Sequence, residues 1–199
     1  MFQLNKEIAD KIMSSEGEVK GVVFKTDERF IISKGGEEKV KEVEDEIKSL
    51  GYSIDYSSVG TMNFYPIGLR ILSLLAIAKV FEMNEEDVRK MGSFAPKFSL
   101  VIKFFIQYFI SIEKTLSQVS EIWKKHYTKG SVVPLEINEK EKKTSVKLEG
   151  LNIHPIFCFY LMGYFSKITE IIVKSPVEVK ETECAFKDNV NSHVFFLKW

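Results

Sequence analysis

The hydrophobic period of this chain changes at Gly130. Before it, apolar residues recur every three or four positions. After it they alternate: Val133, Leu135 and Ile137 are interleaved with Pro134, Glu136 and Asn138, and beyond a charged tip at residues 139–143, Val146 and Leu148 keep the same rhythm. A period near 3.6 specifies an amphipathic helix and a period of 2 a strand with one buried face. The chain therefore reads as a block of helices followed by a β-hairpin, a further helix and a second hairpin. That order favours an antiparallel sheet covered by helices over a parallel βαβ arrangement.

The helices can be placed individually. Phe2, Leu4, Ile8 and Ile12 mark a short amphipathic helix that ends before Ser14. Val40, Val43, Ile47 and Leu50 mark a surface helix over residues 37–50, stopped by Gly51. Pro66 suits a helix first turn, and a nearly continuous apolar run follows to about Glu82. Asn84 and the acids Glu85, Glu86 and Asp87 open another helix, which the sequence ends near Gly92. The stretch 98–127 takes two helices or one bent helix, and His154-Pro155 opens a buried helix to about Val173. Val19 to Phe24 suits a short strand or a helix start equally. Val177 and Val179, then His193 to Trp199, form two strands around a turn at residues 188–192.

A chain of 199 residues is long enough to bury one core without disulfides or metal. The expectation is one α+β domain over 1–199, with a helical layer packed on a four- or five-stranded antiparallel sheet. Residues 1–15 form a docking helix, 16–130 are mainly helical, and 131–199 are hairpin, helix and hairpin. Lys plus Arg equals Asp plus Glu at 28 each, so no net field draws the chain to nucleic acid or an anionic membrane. Two cysteines and no charged-then-apolar leader point to a reducing cytoplasm. The apolar runs 67–78 and 153–165 fall short of the roughly 20 residues that span a bilayer and read as core helices, with no transmembrane segment.

Catalytic patterns are missing: there is no G-x-S-x-G, P-loop, G-x-G-x-x-G or His-Glu-x-x-His, and the reading is a non-enzyme. The aromatic content carries more information, at 16 Phe, 7 Tyr and 2 Trp. Helical spacing groups Phe105, Tyr108 and Phe109; Trp123 and Tyr127; and Phe157, Tyr160 and Tyr164. These eight residues are the candidate lining of an apolar ligand pocket, with solid core as the alternative. The thiol Cys158 sits four residues from His154, but in Phe157-Cys158-Phe159-Tyr160 burial raises a thiol pKa rather than activating it. Cys184 and His193 can face each other across the last hairpin, but zinc takes three or four donors and the remaining candidates, Cys158, His126 and His154, are distant in sequence, so no metal is expected.

Ile122-Trp123-Lys124-Lys125-His126-Tyr127 with Gly130, the charged hairpin, Gly163-Tyr164-Phe165, Val177-Glu178-Val179 with Glu181-Thr182-Glu183-Cys184, and the terminal Phe196-Leu197-Lys198-Trp199 follow a recognisable order. Val19-Lys20-Gly21 and Met91-Gly92 extend it toward the N-terminus. The chain resembles the superfamily of 4-vinyl reductase-type domains, heme-NO-binding domains, TRAPP transport-particle subunits and an uncharacterised bacterial family of similar length. The resemblance implies helices on an antiparallel sheet with a ligand cavity or acyl-chain tunnel between them. His193 stands where the 4-vinyl reductase-type pattern has a second Cys. The hairpin stretch Thr144-Ser145-Val146-Lys147-Leu148 lacks the Tyr-x-Ser-x-Arg pattern of heme-NO-binding domains, and His126 ends its helix rather than lying within it. The expectation drawn is a sensory or regulatory small-molecule-binding domain with no cofactor and no heme; the alternative is a scaffold or dimerisation module, as homodimer or with a protein partner.

Overall fold

The computed structural model describes residues 2–98 and 111–199. The candidate pocket residues Phe105, Tyr108 and Phe109 lie outside them. Seven α-helices are described: α1 (Lys6–Met13), α2 (Val22–Gly35), α3 (Glu37–Ser49), α4 (Ile67–Val80), α5 (Glu85–Phe98), α6 (Ile112–His126) and α7 (Ile156–Val173). The strands are β1 (Glu18–Lys20), β2 (Phe64–Pro66), β3 (Ser131–Asn138), β4 (Lys143–Glu149), β5 (Glu178–Cys184) and β6 (Ser192–Lys198). β1 and β2 pair alone, and the other four make an antiparallel sheet in the order β3-β4-β6-β5. The fold is α+β, helices on an antiparallel sheet.

Each boundary has a local cause. Asn5 caps α1 by accepting from the Ile8 amide at 2.9 Å, and Ser111 caps α6 by accepting from the Lys114 amide. Asn84 and Asp87 exchange side-chain and backbone hydrogen bonds at the start of α5. Gly51 takes φ +85° immediately after α3, where a side chain would be strained. The undecided stretch after Val19 holds both elements, since β1 ends at Lys20 and α2 starts two residues later. The first helix, read as a docking arm, lies against α4 with Ala9 and Ile12 buried; a Cβ on Gly68 would stand 2.6 Å from the Ile12 carbonyl oxygen.

The expected helix stop at Gly92 is corrected. α5 runs through it because Gly92 serves a helix crossing: a Cβ there would lie 1.9 Å from the Tyr160 carbonyl oxygen of α7. Gly163 of α7 does the reverse, its absent Cβ lying 1.8 Å from the Arg89 carbonyl oxygen of α5. Two glycines thus bring the helix backbones into direct contact, and Ser93 Oγ donates to the Gly163 carbonyl at 3.1 Å across the seam. α7 also exceeds the apolar run read from sequence. Its 18 residues make it, by length and composition, the one described helix that could cross a membrane, and half of it is buried inside the fold.

Candidate functional site: a four-donor cluster and a ladder of rings

The last hairpin and the first turn of α7 bring four metal-ligating side chains together. Cys158 comes from α7, Glu181 and Cys184 from β5, and His193 from β6. Their ligand atoms all lie within 4.8 Å of one another. Cys184 and His193 are direct cross-strand partners. Glu181 reaches the same face through an irregularity in β5. Residues three apart on a regular strand point to opposite faces, but the register slips between Glu181 and Glu183 and turns both Glu181 and Cys184 inward.

The donors are already oriented. His193 Nε2 lies 3.0 Å from Asn152 Oδ1, and its Nδ1 lies 3.4 Å from Cys158 Sγ and 2.9 Å from Glu181 Oε1, where a bound ion would displace the Nδ1···Glu181 hydrogen bond. An imidazole held from behind by a carbonyl oxygen is the usual preparation of a metal ligand. Phe186 and Phe195 flank the ring with centroids at 5.3 and 6.4 Å. Burial pushes the Cys158 thiol well above the usual range and the nearby Glu181 carboxylate adds to it; burial also raises Cys184. Burial pushes the Glu181 carboxyl up too, but hydrogen bonds from His193 and Cys158 outweigh it and hold the group below its ordinary value.

Two sulfurs, one imidazole nitrogen and one carboxylate oxygen suit a tetrahedral zinc-type ion, whose ligands stand roughly 3.5 Å apart for bonds of about 2.0–2.3 Å. The sequence paired Cys184 with His193 and offered Cys158 as a distant candidate; the fold brings Cys158 to them and adds Glu181. The pairing of Cys158 with His154 does not form. His154 precedes α7 and its Nδ1 accepts from the Ile156 amide at 3.1 Å. His126 is likewise elsewhere, with Nδ1 donating to the Ile122 carbonyl at 2.9 Å.

The described aromatic candidates form one ladder. Trp123 stacks on Tyr127 at 4.2 Å between centroids, Tyr127 meets Phe157 at 6.1 Å, Phe157 meets Tyr160 at 6.1 Å, and Tyr160 meets Tyr164 at 6.4 Å. Beside it lies a charged group that interrupts the apolar run of α4. Arg70 of α4 is 0% exposed, with its guanidinium carbon 4.6 Å from the centre of the Tyr160 ring. Its Nη1 pairs with Asp27 of α2. Ser73 Oγ donates to the same carboxylate at 2.7 Å and lies 2.7 Å from the Tyr56 hydroxyl. The signal available in sequence was an arginine in a helix whose only other polar side chains are Ser73 and Lys79.

No protein-family model matches the sequence, and no curated protein is similar to it. Solved structures are. An H-NOX protein from S. oneidensis in the Fe(II)NO state is similar over 90% of this chain and 98% of its own, at TM-score 0.68 and 11% identity. The chain has the H-NOX fold. An unliganded Fe(II) H-NOX variant from K. algicida gives TM-score 0.66 at 14% identity over 90% and 95% of the two chains. A structure solved to probe heme distortion in the H-NOX family gives 0.63 at 16% over 90% and 94%. The expectation that the chain takes no cofactor, and heme least of all, is overturned. H-NOX neighbours are described with heme or ferrous iron, and this chain assembles a metal-ligand set of its own.

Proposed function

We propose that this chain is a sensory or regulatory domain, not an enzyme, which holds a zinc-type ion through Cys158, Glu181, Cys184 and His193 and takes a small apolar ligand against the ring ladder. The metal part rests on the four-donor cluster: three donors are buried, the fourth is an acid, and Asn152 fixes the histidine from behind. A bound cation would supply charge that lets both thiols ionise, and all four positions being filled makes the site a closed one. The ligand part rests on the ladder of Trp123, Tyr127, Phe157, Tyr160 and Tyr164 beside a buried charge.

Metal analysis of protein purified without chelator tests the first part, with about one equivalent of zinc expected per chain. Cobalt substitution should give the absorption of a thiolate-bound tetrahedral ion, lost in Cys184→Ser and His193→Ala. Protein free of zinc that gives no cobalt spectrum refutes the assignment.

Heme is a second reading, favoured by the H-NOX fold and by His126. An axial imidazole is commonly held through its other nitrogen by a backbone carbonyl, the arrangement His126 has with Ile122. Burial lowers the His126 pKa, which keeps the ring neutral and able to ligate. His193 has both ring nitrogens engaged, Nδ1 with Glu181 in the four-donor cluster and Nε2 with Asn152. Reconstitution should give a Soret band that shifts in His126→Ala; no band in the wild-type chain removes heme.

A further inference from the structure

Burying an arginine completely is costly unless its donors are met. Arg70 meets only part of that demand. Asp27 takes Nη1, and one face of the guanidinium lies on the Tyr160 ring, but among the described residues Nε and Nη2 have no hydrogen-bond partner, nor does Asp27 Oδ1. Nε–H and the adjacent Nη2–H point the same way from the planar group and form the fork that receives a carboxylate through two parallel hydrogen bonds. The unpaired edge is therefore the one best suited to a bidentate guest. The residues around it are rings: Tyr160 beneath the guanidinium, with Phe157 and Tyr164 next along the ladder and the Tyr127 side chain close to the guanidinium.

We propose that the Nε–Nη2 edge of Arg70 anchors an interior ligand that carries one carboxylate on an apolar body. The inference rests on the reading that the ring ladder receives a small apolar molecule, and is independent of the metal cluster. Two parallel donors call for two coplanar acceptors, which a carboxylate has and an alcohol or ether lacks. A single negative charge also suits the balance of the site. Arg70 already answers Asp27, so a guest monoanion is neutralised if Asp27 takes one proton on its free Oδ1, whereas a dianion leaves a buried charge unanswered. The other titratable groups facing Arg70 are Tyr56 from the turn after α3, Tyr127 at the end of α6 and Tyr160 from α7, all held neutral by burial. Asp27 remains as the proton acceptor, and its carboxyl is pushed up by burial against the pull of Arg70.

Decanoate and decanol, which share a tail and differ in the head group, test this by calorimetry and thermal shift on the full chain. Decanoate should bind at least about tenfold more tightly than decanol, since a site built around buried donors rejects an analogue that leaves them bare. Calorimetry in two buffers of different ionisation enthalpy should show uptake of about one proton per decanoate at neutral pH. Asp27→Leu/Arg70→Met replaces the pair with apolar groups of similar size and should fold, as such exchanges often do; it should lose the preference for decanoate over decanol. Equal binding of the two probes sinks the carboxylate anchor while leaving an apolar-ligand site intact. Binding of neither sinks both, and the free donors then belong to internal water. Retained preference in the double variant places the anchor elsewhere and overturns the inference.

Discussion

Substituting Gly92 with alanine should destabilise the protein, against the ordinary direction for this exchange inside a helix. Alanine is favoured over glycine there by about 1 kcal/mol. The added Cβ, however, would stand 1.9 Å from the Tyr160 carbonyl oxygen, 2.9 Å from its carbon and 3.1 Å from the Tyr164 nitrogen. Ordinary contact begins at 3.4 Å, so α5 and α7 must part by about 1.5 Å, the difference between 3.4 and 1.9 Å. The obstructing atoms are backbone within a helix and have no rotamer into which to retreat. Overpacking of this kind costs about 3 kcal/mol or somewhat more, leaving a net loss of about 2 kcal/mol after the propensity gain. For a chain of this length that is a fall of roughly 4–8 °C in Tm. Gly163→Ala, blocked by the Arg89 carbonyl at 1.8 Å, should behave alike. The double variant should cost less than the sum, because helices already parted by one methyl make room for the other. Calorimetric melting of the three variants provides the readout. A rise in Tm for either single variant would mean that helix propensity governs these positions and that the seam is looser than described.

Three further outcomes are expected. Asn152→Ala removes the acceptor behind His193 without removing a ligand, and should weaken zinc binding by about 10- to 100-fold in competition with a chromophoric chelator; unchanged affinity would deny Asn152 its orienting role. His154 has its pKa lowered to about 4 by burial, from 6.5. A histidine depressed in the folded state gives its full stability above about pH 6.5, and loses it as pH falls toward 4. After allowance for its partial exposure this amounts to on the order of 1–2 kcal/mol. His154→Asn keeps an acceptor for the Ile156 amide and should flatten that part of the urea-stability profile; an identical profile would refute the assignment. Tyr56→Phe takes away the hydroxyl next to Ser73 and should cost about 1–2 kcal/mol in chemical denaturation, with a silent substitution arguing that Ser73 is satisfied by Asp27 alone.

What could be read from the residues in order was mostly local. The alternation after Gly130 located β3 and β4, and the Asp188–Ser192 turn between two β-patterned runs located β5 and β6. Spacing three and four apart located α3 and put Phe157, Tyr160 and Tyr164 on one side of α7. What could not be read depends on neighbours distant in sequence. Gly92 has the local signature of a helix stop, and only the approach of Tyr160 reveals a crossing. Glu181 has the wrong parity to join Cys184 on a regular strand, so its role follows from a slip in register that no composition encodes. Cys158 meets His193 across 35 positions, and Arg70 meets Asp27 across 43. In each case one residue of the pair looks unremarkable until the chain has folded.

The position of Cys158 on α7 has one mechanical consequence. Two residues further along the same helix, Tyr160 supports the Arg70 guanidinium with its ring and fills the place of the Gly92 side chain with its carbonyl. A helix turn is stiff over so short a distance, so the thiol and the ring cannot shift separately. Whatever fixes the sulfur at the end of the sheet also sets how the tyrosine lies against the cation, and a disturbance at either end is delivered to the other within about 3 Å of helix rise.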